Sequence, residues 1–510
     1  MKKYNIIYFV TLLFLLAACG KSWLDVNNDP NNPASATPES VLPSATVSLG
    51  SVIGGNYNLL GCIWSQYWTQ SPGSNQYKNI DGYQILSADF QNQWAQLYAG
   101  TLKNLRIVRE ESLKNKNDAY VFMATALECY TYQVLVDLYD QIPFNDDLNG
   151  EATQNLQPKY DNAITVYDSI AARLERLSSL DVTNVLVTDQ KKKDFIFNNS
   201  DGSIEQSAEM ANWQAFANTL LLKIYMRQMY VRPGVAQAGI SALYARGAHF
   251  LDIDAKLDIF IDQPGKDNPL YESDRRSLNT TANLRASGTL FKFLDNMGDP
   301  RKSFLYGSGV SNPQGDYSEF YTITALAGIS IVTLKANDPV YFISKAESYF
   351  LQAEAVAKGW GTIVNGNSDL KLYESGVKAA FAKFGISDTM APKFLASVYL
   401  YPAGGTFDDK QFAIIMQKWI SMAGSQGIES FFETNRTHYP PVAPASIQYV
   451  IGGNNTNYKN WIGGELMYSV GGVTGGQFPK RLLFPNTERQ VNSNTPPEVP
   501  IITKVWWDTK

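Results

Sequence analysis

A long, strongly apolar stretch, Ala119 to Leu138, sets the architecture, because it is too long for a strand. Bulky and small residues alternate along it (Val121, Ala124, Leu127, Cys129, Val134, Leu138), and it stops before Pro143, which cannot continue a helix. Ser40 to Gly61, Tyr98 to Leu113, Tyr160 to Leu180 and Trp213 to Tyr230 carry apolar residues at the same three and four spacings. The pattern lapses from about residue 252 to 335, which is rich in Asp, Asn, Gly, Pro, Ser and Tyr. Only Leu290 to Met297 reads as a helix there, and Ile329 to Leu334 leans towards β. Helical order returns in Tyr341 to Gly359, with Gly359 as C-cap, then in Lys371 to Phe384 and Gln411 to Phe432. Helices paired through short connections cannot each bury their own face, so they must stack. The expected fold is mostly α: tetratricopeptide-like helical repeats over 38–250 and 339–435, a large irregular loop-rich insertion at about 252–335, and an irregular segment 437–510. All of it forms one domain, 38–510.

The N-terminus defines a compartment. Lys2 and Lys3 precede an apolar run from Ile6 to Ala18, and Leu16-Ala17-Ala18-Cys19 closes it with small residues before a cysteine. Thirteen residues fall short of the roughly 20 that span a bilayer. Residues 1–18 therefore read as a secretory signal. Leu-Ala-Ala-Cys resembles the bacterial lipobox, in which Cys19 receives a diacylglycerol on sulfur and a further acyl chain on its freed amine. Two or more chains make an anchor effectively permanent. Residues 19–37 then form anchor and leader, the Asn-, Asp- and Pro-rich run from Val26 to Pro33 being extended and turn-rich.

The 48 acidic residues outnumber the 43 basic ones, two of which leave with the signal. With no basic run longer than Lys191-Lys192-Lys193, nucleic acid is excluded as a partner. After lipidation of Cys19 only Cys62 and Cys129 remain; one bridge is open to them, though Cys129 lies in an apolar helical run that suits a buried free thiol. No nucleophile elbow, phosphate loop or His-Glu-x-x-His is present, and His249 and His438 stand alone. His438, at a helix end, is explained by interaction with terminal carbonyls. Asp252, Asp254, Asp258 and Asp262 form the best acidic run; a solvated loop accounts for it, and a structural divalent cation on its oxygens stays open. No cofactor is expected.

Two loop stretches combine rings with amides and guanidinium groups. Trp64, Tyr67, Trp68, Gln70, Asn75, Gln76, Tyr77, Asn79 and Tyr83 fall in the first. Tyr271, Arg275, Arg276, Asn279, Asn283 and Arg285 repeat the mixture, followed by Tyr317, Phe320 and Tyr321. A ring offers an apolar face to a sugar or a peptide side chain, while amides and Arg bond hydroxyls and carbonyls in fixed geometry. That suits binding without chemistry, with Trp68, Tyr77, Tyr83, Tyr271, Arg285 and Tyr317 as candidate ligand contacts. For Trp68, core and ligand readings stand level.

The order of several segments carries a resemblance. Asp25-Val26-Asn27-Asn28-Asp29-Pro30-Asn31-Asn32-Pro33, Asp137-Leu138-Tyr139-Asp140-Gln141-Ile142-Pro143-Phe144, the helix Ser344 to Ala355, Gln417-Lys418-Trp419-Ile420 with Glu429-Ser430-Phe431-Phe432-Glu433, and Pro479-Lys480-Arg481-Leu482-Leu483-Phe484-Pro485 together resemble the SusD/RagB nutrient-binding outer-membrane lipoproteins of Bacteroidetes. The resemblance implies a tetratricopeptide-like helical fold with the ligand site in its loop-rich half. It also implies an oligosaccharide or peptide ligand, a SusC-like TonB-dependent transporter as partner, no catalysis, and lipid anchoring to the outer membrane facing the exterior. Gly20-Lys21-Ser22 departs from the acidic residues often found after the cysteine in exported members. A surface glycoside hydrolase and a helical scaffold without small ligand are the alternatives.

Overall fold

In the computed structural model the described residues are 37–148, 155–182, 194–197, 206–280, 283–317, 326–363 and 366–510. The signal, Cys19, and Phe320 and Tyr321 lie outside them. The longer helices are α1 (Pro38–Gly54), α2 (Asn56–Trp64), α3 (Lys103–Lys114), α4 (Asp118–Tyr139), α5 (Ala163–Leu177), α6 (Gln206–Arg227), α7 (Pro233–Ala245), α8 (Gly288–Asn296), α9 (Lys345–Ala357), α10 (Asp369–Ala382), α11 (Phe407–Met422) and α12 (Gly427–Thr437). Short polar residues start many of them: Asn117, Asn162, Ser344 and Ser368 each accept a backbone N–H of the first turn, and Thr406 with Asp409 forms a capping box before α11.

The helices pack as pairs (α3 with α4, α4 with α5, α6 with α7, α9 with α10), as the periodicity predicts. One core runs from Val41 through α4 and α6 to Trp507; a second gathers Phe350, Tyr373, Phe381 and Ile414 among α9, α10 and α11. Where α2 crosses α12 the backbones touch: a Cβ at Gly61 would overlap the Gly427 carbonyl, and one at Gly427 would stand 2.5 Å from the Cys62 nitrogen. Only glycine fits there.

Three sequence expectations are corrected. Tyr341 to Gly359 is not one helix: Val340–Ile343 is a strand, paired antiparallel with Ala255–Leu257, and α9 begins after Ser344. A short apolar run does not declare its period, and here pairing across the sheet decides it. Gln411 to Phe432 is two helices, broken where Gly424 turns at φ +77°. Ser40 to Gly61 likewise breaks, at Gly55. Cys62 and Cys129 are both buried and free.

The resemblance-bearing segments meet inside. Arg227 of α6 bonds Glu429 and Glu433 (2.6 Å each), with Asp137 at 3.3 Å; Arg436 bonds Glu354 (2.7 Å) and Glu433; Lys418 reaches Glu433 at 3.0 Å, and Lys223 reaches Glu347 at 2.7 Å. Every one of these side chains is nearly or fully buried. Removing any single partner would strand a buried charge, so the network ties α4, α6, α9, α11 and α12 into one geometry. The C-terminal segment docks on the same centre: Trp507 is fully buried and its indole N–H donates to Asp137 at 2.8 Å.

Candidate binding surface

The two ring-and-amide loops converge. Strand β1 (Trp68–Gln70) pairs antiparallel with the strand Leu284–Ala286, Thr69 opposite Arg285, and the Ser71 N–H extends the ladder to the Asn283 carbonyl. Beyond β1 the chain turns back on itself, because the Gln70 side-chain oxygen accepts the Tyr77 N–H at 2.6 Å. The turn is pinned to the second loop by Asp274, fully buried. Its Oδ1 accepts the Tyr77 hydroxyl at 2.7 Å and the Asn283 amide at 3.3 Å, and its Oδ2 pairs with Arg275, which also donates to the Val332 carbonyl at 3.1 Å. Ser74 Oγ donates to Asn283 Oδ1 at 2.7 Å.

Above this buried floor opens a groove of about 350 Å³ lined by Ser74, Asn75, Gln76, Leu278, Thr280 and Asn283. Asn75 and Gln76 are exposed, as is Leu278. The lining offers hydroxyl and amide donors and acceptors beside one apolar side chain. That mixture can bond hydroxyls or peptide groups while covering a C–H face.

The predicted contacts are distributed around this groove rather than gathered in it. Tyr77 and Arg285 lie beneath it and are buried: Arg285 donates to the Ile329 carbonyl at 2.6 Å and to Ser71 Oγ at 3.2 Å. Burial, then Asp274, holds the Tyr77 phenol well above its usual pKa; burial, then Arg275, lowers that of Arg285. Trp68 and Tyr83, 1% and 2% exposed, are core residues and offer no surface to a ligand in this conformation. Tyr83 sits edge-on to Tyr468 at 5.6 Å, covered by the C-terminal segment. Tyr271 is half-buried under the Arg276 guanidinium, 5.5 Å from its ring, and borders a different, shallow depression with Phe260 and Leu334. Tyr317 is half-buried against the Lys78–Gly82 end of the 70–83 loop, with Lys78 Nζ 5.1 Å over its ring and its hydroxyl 3.4 Å from the Gly471 carbonyl.

Two positioning groups escaped the sequence reading. Asp274 is one. The other is Asp81, which accepts Thr69 Oγ1 at 2.6 Å, the Gln70 N–H at 2.8 Å and Gln314 Nε2 at 2.5 Å, so tying β1 to the segment that leads to Tyr317. Burial raises the Asp81 carboxyl to about 6 against these donors. Nothing in sequence distinguishes either carboxylate from its surface neighbours. The Asp252, Asp254, Asp258 and Asp262 run does not converge: Asp254 accepts the Lys345 N–H, Asp258 pairs with Lys256 and Asp262 with Arg276. Among the described residues, no group of His, Cys, Asp and Glu is placed to hold a metal.

This arrangement of helical pairs and loops is shared with solved structures. A SusD homologue from Bacteroides uniformis has a TM-score of 0.70 at 20% identity, covering 92% of this chain and 99% of that one. A chitin-binding SusD homologue from Flavobacterium johnsoniae has a TM-score of 0.67 at 20% identity, covering 92% and 98%. A SusD-like protein from Bacteroides thetaiotaomicron has a TM-score of 0.69 at 20% identity, covering 93% and 99%. At such identities the likeness establishes the fold. No curated protein sequence matches. The profile of a SusD-like family described as starch-binding and associating with the outer membrane matches residues 30–457, and the chain belongs to that family.

Proposed function

We propose that this protein is a lipid-anchored capture protein of the outer membrane. It holds an oligosaccharide in the groove between the 71–77 and 274–285 loops and passes it, uncut, to a TonB-dependent transporter of the SusC type. The observation that carries the reading is the groove itself: an open, amide- and hydroxyl-lined surface on a rigid floor in a chain of a starch-binding family. The chitin-binding neighbour supports a glycan over a peptide. The lipobox at Cys19 supports tethering, which would leave the described body free to face the cell exterior. Tyr317, beside the exposed loop, is the ring best placed to extend the surface; Tyr77 and Arg285 act from beneath, and Tyr271 would serve only a longer ligand.

Calorimetric titration of the full chain in detergent with malto- and chito-oligosaccharides tests this. Replacing Asn75 and Gln76 together by Ala should weaken binding at least tenfold without changing thermal unfolding, since both are exposed. Unchanged affinity would place the ligand elsewhere.

A further inference from the structure

A second cavity, of about 210 Å³, shares no lining residue with the groove and lies between the end of α1, the 333–341 loop, the end of α10 and the turn between α11 and α12. Phe304 and Phe384 stand at it with ring centroids 5.8 Å apart, and Leu334 adds to the apolar wall; Phe304 is 40% exposed. Three charged residues line it: Lys383, Asp338 and Lys335, the last of them exposed to solvent. Lys383 Nζ donates to the Ser421 carbonyl at 2.9 Å and to Ser425 Oγ, and lies 4.8 Å over the Tyr341 ring. That leaves one of its three N–H bonds uncommitted. Asp338 accepts the Lys335 N–H at 2.8 Å on Oδ2 alone. Among the described residues neither Lys383 nor Asp338 takes part in an ion pair, so the cavity holds them apart.

Both side chains are partly buried, and charges drawn even partly from water are ordinarily paired. Burial pushes the Lys383 amine down to about 8, with Asp254, Cys62 and Asp338 pulling it up and Arg301 pushing it further down; burial raises the Asp338 carboxyl. Both charges would be relieved by one guest that brings an anion to the lysine and a cation to the aspartate. A guest bearing only one charge would relieve only one wall. The volume admits a molecule of single-residue size, and the two phenylalanine rings call for an apolar side chain.

We propose that this cavity binds an apolar α-amino acid, its carboxylate on Lys383, its ammonium on Asp338 and its side chain against Phe304 and Phe384. The proposal is independent of the oligosaccharide reading.

Titration of the full chain in detergent with L-phenylalanine, 3-phenylpropionate and phenethylamine tests it. L-Phenylalanine should bind at least tenfold more tightly than either singly charged analogue. Lys383→Met and Asp338→Asn should each lose at least tenfold in affinity for it. Phe304→Ala, at an exposed ring that folding does not need, should weaken L-phenylalanine while leaving glycine unchanged. Absence of L-phenylalanine binding to folded protein, equal binding of the three probes, or full affinity in the Phe304→Ala variant would each overturn the proposal.

Discussion

Replacing Asp274 by Asn tests whether the groove floor is held as described. The change keeps shape but converts one acceptor oxygen into an NH₂ donor. Arg275, whose side chain is 6% exposed, then loses its one carboxylate partner among the described residues, where the Val332 carbonyl remains as its acceptor. Tyr77 and Asn283 exchange a charged acceptor for a neutral one at best. A hydrogen bond to a charged group is worth about 1.5–3 kcal/mol net, and stranding one member of a buried pair costs about 3–5 kcal/mol. The sum exceeds what a loop junction can absorb, so the 71–83 and 272–285 segments should separate locally while the helical core persists. Hydrogen exchange read by mass spectrometry should show lost protection in those two segments and unchanged protection in α4 and α6, with oligosaccharide affinity down at least tenfold. Unchanged exchange in both loops would refute the claim that Asp274 clamps them.

Gly471→Ala should disturb Tyr317, because a Cβ there would overlap the tyrosine hydroxyl; Tyr317 would be displaced, and loss of oligosaccharide affinity without a change in helical circular dichroism checks it. Trp507→Ala should destabilise the whole chain by about 3–5 kcal/mol, the range for truncating a buried Trp, and more if Asp137 is left short of a donor; the denaturant midpoint reads this. Asp81 has a carboxyl raised to about 6 in the folded state against 3.8 unfolded, so its contribution is full below the unfolded value and is lost as pH rises through about 6. Asp81→Asn should therefore flatten the fall in melting temperature between pH 4 and pH 7, and an unaltered slope would contradict the assignment.

The helical half of the molecule was legible because period and punctuation agree. Ala119 to Leu138 emerges as α4 almost residue for residue, and Lys371 to Phe384 as α10 shifted by two positions. Tyr341 misled because a four-residue apolar run before a helix carries no period of its own, and its partner, Ala255–Leu257, is distant in sequence. The convergence of the two loop stretches could be suspected from composition, but not which side chains would face out. Tyr83 looks like a surface ring in sequence and is core because Tyr468 and Phe478 of the C-terminal segment cover it, and nothing local announces that cover; for Trp68, which sequence left open between core and ligand, the turn at Gly424 lies against the ring. Asn75, Gln76 and Asn283, noted only as accompanying amides, turn out to line the groove. The cavity at Lys383 is assembled from six separate stretches of chain, which no spacing rule could join.

The central claim is that the groove holds a glycan and leaves it whole. Incubating the full chain in detergent with chito- and malto-oligosaccharides, measuring binding by calorimetry and chain length by mass spectrometry on the same samples, tests it most directly. The account predicts saturable heat from at least one series and oligosaccharides recovered at their starting length. Shortened products that vanish when a single carboxylate is replaced would contradict it.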